Sequence, residues 1–146
     1  MLRGIDPILS PDLLQILRAM GHGDDIVIAD ANFPAEAMAS RLVRLDGIDA
    51  PCVLQAVLSV MPLDNFVDDP AITMQIVGES ESIPPVVERF QMVIDAVADN
   101  VAKIVAVERF DFYARARQAF AVVQTGERRL YGNIILKKGV VSPTDG

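Results

Sequence analysis

The chain has 146 residues, a length that suits one domain around one core. Hydrophobic residues make up 51% and mean hydropathy is +0.33, yet no run reaches the roughly 18 apolar residues of a membrane span, so the apolar surplus points to a subunit interface. Thirteen basic against 20 acidic residues give a formal charge of −7, which argues against a nucleic-acid partner.

The first residues, Met-Leu-Arg-Gly-Ile-Asp-Pro, carry one basic residue and no apolar core of a signal peptide. Ser10-Pro11-Asp12 is a helix start, with a capping hydroxyl, proline in the first turn and an early acid. Leu13, Ile16, Leu17 and Met20 make one apolar stripe, and Gly21 is expected to close the helix in the left-handed region. Residues 25–30 read as a central strand, apolar on both faces. Asn32-Phe33-Pro34 is turn chemistry, with a short helix expected through Met38.

A short strand is expected at 41–45, then a turn at Asp46-Gly47. Asp49 caps a predicted helix over 50–61, lined by Leu54, Val57, Leu58 and Met61 and stopped by Pro62. Cys52 lies near that helix start and has no partner for an intrachain disulfide, which suggests a reducing, cytoplasmic compartment. The favoured reading of Cys52 is a small buried hydrophobe; the alternative is an activated thiol. Residues 63–70 are irregular and 72–77 are a strand candidate. A loop over 79–85 precedes a helix over 85–99 with Val86, Phe90, Val93, Ile94 and Val97 on one face.

An apolar strand at 103–107, a helix at 110–119 and strands at 120–125 and 131–136 complete the pattern, followed by a loose tail after Gly139. The last two strands are five residues apart, so they are expected to pair as an antiparallel hairpin. This alternation predicts a single three-layer α/β/α domain over residues 1–146 with a mostly parallel, mixed sheet.

No phosphate-cradling glycine motif, nucleophile elbow or zinc-ligand spacing is present, which leaves general acid–base catalysis as the best-fitting chemistry. His22, the one histidine, stands between two glycines and is either a proton shuttle or a helix-terminal cap. Asp30 ends the central strand, where open α/β sheets place ligands, and is either a ligand group or the cap of the next helix. His22 and Asp30 are expected to share a pocket. Asp24 and Asp25 read as solvated turn or capping residues. Glu108 and Arg109, at the end of another strand, reach the same crevice or form a surface ion pair. Tyr131, Gly132 and Asn133 suit hydrogen bonding to ligand hydroxyls, with a strand carrying a glycine bulge as the alternative.

Together, Gly21-His22-Gly23-Asp24-Asp25-Ile26, Asp30-Ala31-Asn32-Phe33-Pro34, Glu108-Arg109-Phe110-Asp111-Phe112-Tyr113, Thr125-Gly126-Glu127-Arg128 and the stretch from Tyr131 to Val140 resemble the fucose mutarotase / ribose pyranase (RbsD/FucU) family. The resemblance runs from about Ser10 to Val140 and is less distinct over residues 40–81. It favours the fucose branch, because ribose pyranases usually carry Thr at the position of Gly23 and tend to carry His at that of Arg109. The resemblance implies cofactor-free, metal-free interconversion of monosaccharide anomers by ring opening and closing. His22 would be the acid/base group, and Asp30, Arg109, Tyr131, Gly132 and Asn133 would bind substrate. It also implies a homo-oligomer, often a decamer of pentameric rings, with sites near subunit contacts.

Overall fold

The computed structural model describes residues 1–144 and holds one six-stranded sheet. The strands are β1 (Asp25–Ala29), β2 (Leu42–Leu45), β3 (Ala71–Met74), β4 (Val105–Val107), β5 (Ala121–Thr125) and β6 (Ile134–Lys137). Their order across the sheet is β2-β5-β1-β6-β3-β4. Neighbours run parallel except at β6, which is antiparallel to both β1 and β3. The mixed sheet follows from that one inserted strand.

Five helices cover the two faces: α1 (Pro11–Ala19), α2 (Ala35–Met38), α3 (Ala50–Leu58), α4 (Pro85–Val97) and α5 (Arg109–Gln118). Ser10 caps α1 through Leu13 N–H, and Asp49 caps α3 through Cys52 N–H, as their positions in the sequence predict. Side chains alternate along the central strands. Ile26, Ile28, Ile134 and Leu136 pack with α1, α3 and α4, whereas Val27, Ala29 and Ile135 pack with Phe33, Ala35 of α2 and Phe112 and Ala116 of α5. Both faces are buried, so 26–29 reads as an unbroken apolar run.

Several expectations change. β5 and β6 do not form a hairpin, because β1 lies between them. The connection over 126–133 crosses the carboxyl end of β1 instead of turning back. Glu127 carbonyl accepts from Ala31 N–H at 2.8 Å, and Thr125 hydroxyl donates to Ala29 carbonyl at 2.7 Å. Within the crossover the buried Glu127 carboxylate accepts from Arg129 Nε at 2.8 Å, Arg129 Nη2 at 3.0 Å and Ala50 N–H at 3.3 Å. Those anchors hold the segment across the sheet edge, a role its length alone does not disclose.

Cys52 is exposed, not buried, since α3 packs through Val53, Leu54, Ala56 and Val57 and leaves Cys52 outside. Asp49 beside it and partial burial raise its thiol pKa, so the activated-thiol reading fails as well. The apolar strand expected at 103–107 shortens to β4 at the sheet edge, where Val105 is exposed. Gly21 does not take the left-handed conformation; Gly23 does, with φ +87°. No helix among the described residues is long and apolar enough to cross a membrane. Residues 145 and 146, the end of the expected loose tail, lie outside the described residues.

Arg129 holds the Glu127 carboxyl below the usual glutamate range, against the opposing effect of burial. A depressed pKa adds stability that is fully present above the unfolded value and is lost as pH falls through the folded one. Glu127→Gln should therefore cost about 1–3 kcal/mol in denaturant unfolding at neutral pH. The gap to the parent protein should close as pH drops below the carboxylate range; a gap independent of pH would refute the assigned role.

Candidate functional site

Asp30 follows directly on β1 at the rim formed by the carboxyl ends of the parallel strands. Asn133 directly precedes β6, whose antiparallel register pairs Ile28 with Ile134 and so brings Asn133 against Asp30. The two residues bond reciprocally. Asp30 N–H donates to Asn133 Oδ1 at 2.7 Å, and Asn133 Nδ2 donates to Asp30 Oδ2 at 2.9 Å. Asn32 N–H donates to Asp30 Oδ1 at 2.9 Å, and Gln124 Nε2 donates to the Asp30 carbonyl. Asp30 and Asn133 are both buried. Burial raises the Asp30 pKa, and hydrogen bonds from Asn32, Asn133, Phe33 and Gly132 only partly offset it.

Tyr131 has a left-handed backbone, φ +64°, an uncommon conformation for a side-chain-bearing residue. Gly132 beside it admits no side chain: a Cβ there would lie 2.6 Å from Glu127 Cγ and 3.1 Å from the Arg129 carbonyl. This local geometry delays the start of β6 to Ile134 and replaces the bulged strand considered for this stretch. The Tyr131 hydroxyl accepts from Val77 N–H at 3.1 Å, which leaves its own proton for a ligand. Phe33, Phe112 and Tyr113 form an aromatic group beneath, with Tyr131 packed against the same cluster.

Arg109 opens α5 on the same rim, exposed, with its guanidinium 4.7 Å from the centre of the Phe110 ring. Its strand, β4, is three places from β1 in the sheet, or about 14 Å at the usual strand spacing. Arg109 is therefore on the Asp30 rim but not in contact with Asp30. Glu108 does not pair with it; the carboxylate caps α5 through Phe110 N–H at 2.8 Å and Asp111 N–H at 3.2 Å.

His22 lies elsewhere. It precedes β1 and so occupies the opposite rim, with the five residues of β1 spanning about 16 Å between the two ends. The expectation that His22 and Asp30 share a pocket fails within one chain. The helix-cap reading of His22 fails too, because the carbonyls of Leu17 in the last turn of α1 and of Met20 just after it are taken by Lys138 Nζ at 2.7 and 2.6 Å, while His22 bonds to Asp64. His22 Nε2 lies 3.0 Å from Asp64 Oδ1, and its ring sits 4.9 Å from that of Phe66. The His22 side chain is 45% exposed and that of Asp64 only 2%. Asp24 caps locally, accepting from Gly21 N–H at 2.7 Å. Asp25 is not solvated: Lys137 at 3.0 Å and Arg115 at 3.4 Å pair with it.

Asp64 and Glu127 are the buried carboxylates that sequence reasoning missed as site components. Asp64 falls in the irregular stretch 63–70, and nothing local connects it to a histidine 42 residues away. Glu127 belongs to the Thr125-Gly126-Glu127-Arg128 motif, which by itself discloses no role for the carboxylate. Among the described residues no three His, Cys, Asp or Glu side chains converge as a metal-ligand set would.

The sequence profile of the RbsD / FucU transport protein family matches residues 3–141. L-fucose mutarotases of Histophilus somni (strain 2336) and Haemophilus influenzae (strain 86-028NP) are each 48% identical over 141 residues, covering 96% of this chain and 97% of theirs. The crystal structure of the Streptococcus pneumoniae fucose mutarotase in complex with L-fucose superposes with a TM-score of 0.89 at 44% identity, covering 97% of this chain and all of that one. Bacillus subtilis RbsD complexed with D-ribose shares the fold at a TM-score of 0.73 and 23% identity. The chain belongs to the RbsD / FucU family.

Proposed function

We infer that this chain is an isomerase that interconverts the α and β anomers of L-fucose. The observation that carries the inference is near-full-length identity of 48% to L-fucose mutarotases. The carboxyl-end rim supplies chemistry suited to a sugar: a buried carboxylate–amide pair and a tyrosine hydroxyl with a proton to give.

The reaction needs one group to protonate the ring oxygen while another removes the proton of the anomeric hydroxyl. The ring C–O bond then breaks to the open-chain aldehyde. Rotation about the bond beside the carbonyl and reclosure give the other anomer, with the two proton roles reversed. On this reading Asp30, Asn133, Arg109 and Tyr131 hold the hydroxyls, and Gly132 lets the segment that carries Tyr131 and Asn133 pack closely on Glu127. We take His22 as the acid/base group and Tyr131 as a second proton relay, a reading supported by the hydroxyl proton that its bond from Val77 N–H leaves free.

One chain cannot bring His22 to the Asp30 rim, so we assign the complete site to two copies of the chain in a homo-oligomer. Exposed apolar residues flank both halves: Phe66, 72% exposed, beside His22, and Leu130, 69% exposed, beside Tyr131. Such residues on both rims fit surfaces covered by a neighbour. A decamer of pentameric rings is the assembly we propose, and light scattering measures it. The lone exposed Cys52 fits a cytoplasmic location.

Saturation-transfer NMR on equilibrating α- and β-fucose tests the acid–base assignment. His22→Ala should slow catalysed exchange by about 10²–10⁴-fold while fucose still binds. Unchanged exchange in a folded variant would remove His22 from the mechanism, and saturable binding without exchange in the parent protein would make it a sugar carrier.

Co-assembly tests the division of the site. His22→Ala and Asp30→Asn, each inactive alone, should regain about a quarter of parental activity when co-expressed in equal amounts, because each mixed assembly then contains sites with neither lesion. No recovery in demonstrably mixed oligomers would place the site within one chain.

A further inference from the structure

We propose that Asp64 is a positioning residue that holds His22 as its Nε2–H tautomer and leaves Nδ1 as the atom that takes and returns the sugar's proton. The proposal rests on His22 being the acid/base group and adds to it the identity of the reacting nitrogen and the residue that selects it.

The argument begins with hydrogen-bond polarity. An ionised carboxylate only accepts, so an imidazole nitrogen 3.0 Å from Asp64 Oδ1 must carry the hydrogen. In the neutral ring the other nitrogen then has a free lone pair. Nδ1 has no hydrogen-bond partner among the described residues, and the side chain is nearly half exposed. The ring thus turns its N–H to Asp64 and leaves the Nδ1 lone pair unengaged among the described residues.

The geometry is built into the fold. Lys137 carbonyl accepts from Asp64 N–H at 3.0 Å, and Lys138 carbonyl accepts from Gly23 N–H at 2.9 Å. Two consecutive residues at the end of β6 therefore set the spacing between the Asp64 loop and the His22 loop. Asp99 and Asn100 hold the backbone of Leu63 from the other side, at 2.9 and 3.0 Å. Phe66 lies against the imidazole at 57°, which restricts rotation of the ring.

The surrounding charges are committed elsewhere. Asp24 binds Gly21 N–H, Lys137 Nζ binds Asp25 and the Gly23 carbonyl, and Lys138 Nζ closes α1. Asp64 is the carboxylate bonded to the ring. When Nδ1 takes a proton, the resulting imidazolium keeps its hydrogen bond to the buried carboxylate of Asp64.

His22 is the one histidine of the chain, so [¹⁵N]histidine labelling reports on it alone. Magic-angle-spinning spectra of the intact assembly at mildly alkaline pH should show a pyrrole-type Nε2 and a pyridine-type Nδ1. Asp64→Asn keeps an acceptor but removes the charge. It should retain the tautomer and lower kcat about tenfold with KM nearly unchanged. Asp64→Ala removes both, so the tautomers should mix and kcat should fall about 100-fold.

A pyridine-type Nε2 in the parent protein overturns the proposal, as does full kcat in Asp64→Ala. A rise in KM alone would also overturn it, by making Asp64 a binding or purely structural residue. If Asp64→Ala does not fold, the parental spectrum and Asp64→Asn decide the matter. Undiminished exchange in His22→Ala would defeat the parent reading separately, because the tautomer is measured without reference to turnover.

Discussion

The insertion of β6 between β1 and β3, antiparallel to both, determines where the candidate chemistry lies. Its first end delivers Asn133 to Asp30, and its last end delivers the carbonyls of Lys137 and Lys138 to the loops of Asp64 and His22. A parallel strand in the same place would reverse these assignments. A one-residue slip would turn Ile134 and Leu136 onto the face now occupied by Ile135 and separate Asn133 from its partner. The apolar alternation of β6 therefore fixes the polar geometry at both rims.

Three buried carboxylates show how partner chemistry sets their use. Glu127 faces Arg129, which favours the charged form and ties down the crossover beside the rim. Asp30 faces neutral donors, an amide and backbone N–H groups, so burial dominates and its affinity for a proton rises. An arginine at Asn133 would neutralise Asp30 and compete with any ligand for its lone pairs; an amide orients the carboxylate and leaves acceptor capacity. Asp64 faces an imidazole, where the same charge becomes a device for choosing a tautomer.

Local signals were read well from the sequence. Ser10 and Asp49 cap the helices they precede, and 26–29 forms the doubly buried strand its apolar run suggests. Most of what failed was non-local, the Gly21 cap and the helix face of Cys52 aside. Five residues between two strand-like runs suggested a hairpin, but anchors on Glu127, Ala31 and Ala50 carry the segment across β1. Cys52 faced outward because the apolar stripe of α3 runs through its neighbours. Asp30 and Asn133, 103 positions apart, could be related only through the family resemblance, and Asp64 could not be related to His22 at all. The resemblance named His22 and Asp30 together without disclosing that they lie at opposite ends of one strand.

That separation has an energetic logic. Anomers already interconvert in water, so a modest acceleration is enough, and one well-placed acid–base pair supplies about 10²–10⁴-fold. On the proposed reading the demand on the fold is orientation. Each rim meets it with short, mutually supporting hydrogen bonds: Asp30 with Asn133 on one side, His22 with Asp64 on the other. On the proposed reading, the remaining variable is the registration of two rigid rims across a subunit contact. Assembly then acts as the step that brings the proton shuttle to the sugar, and loss of the contact would abolish turnover while leaving both half-sites intact.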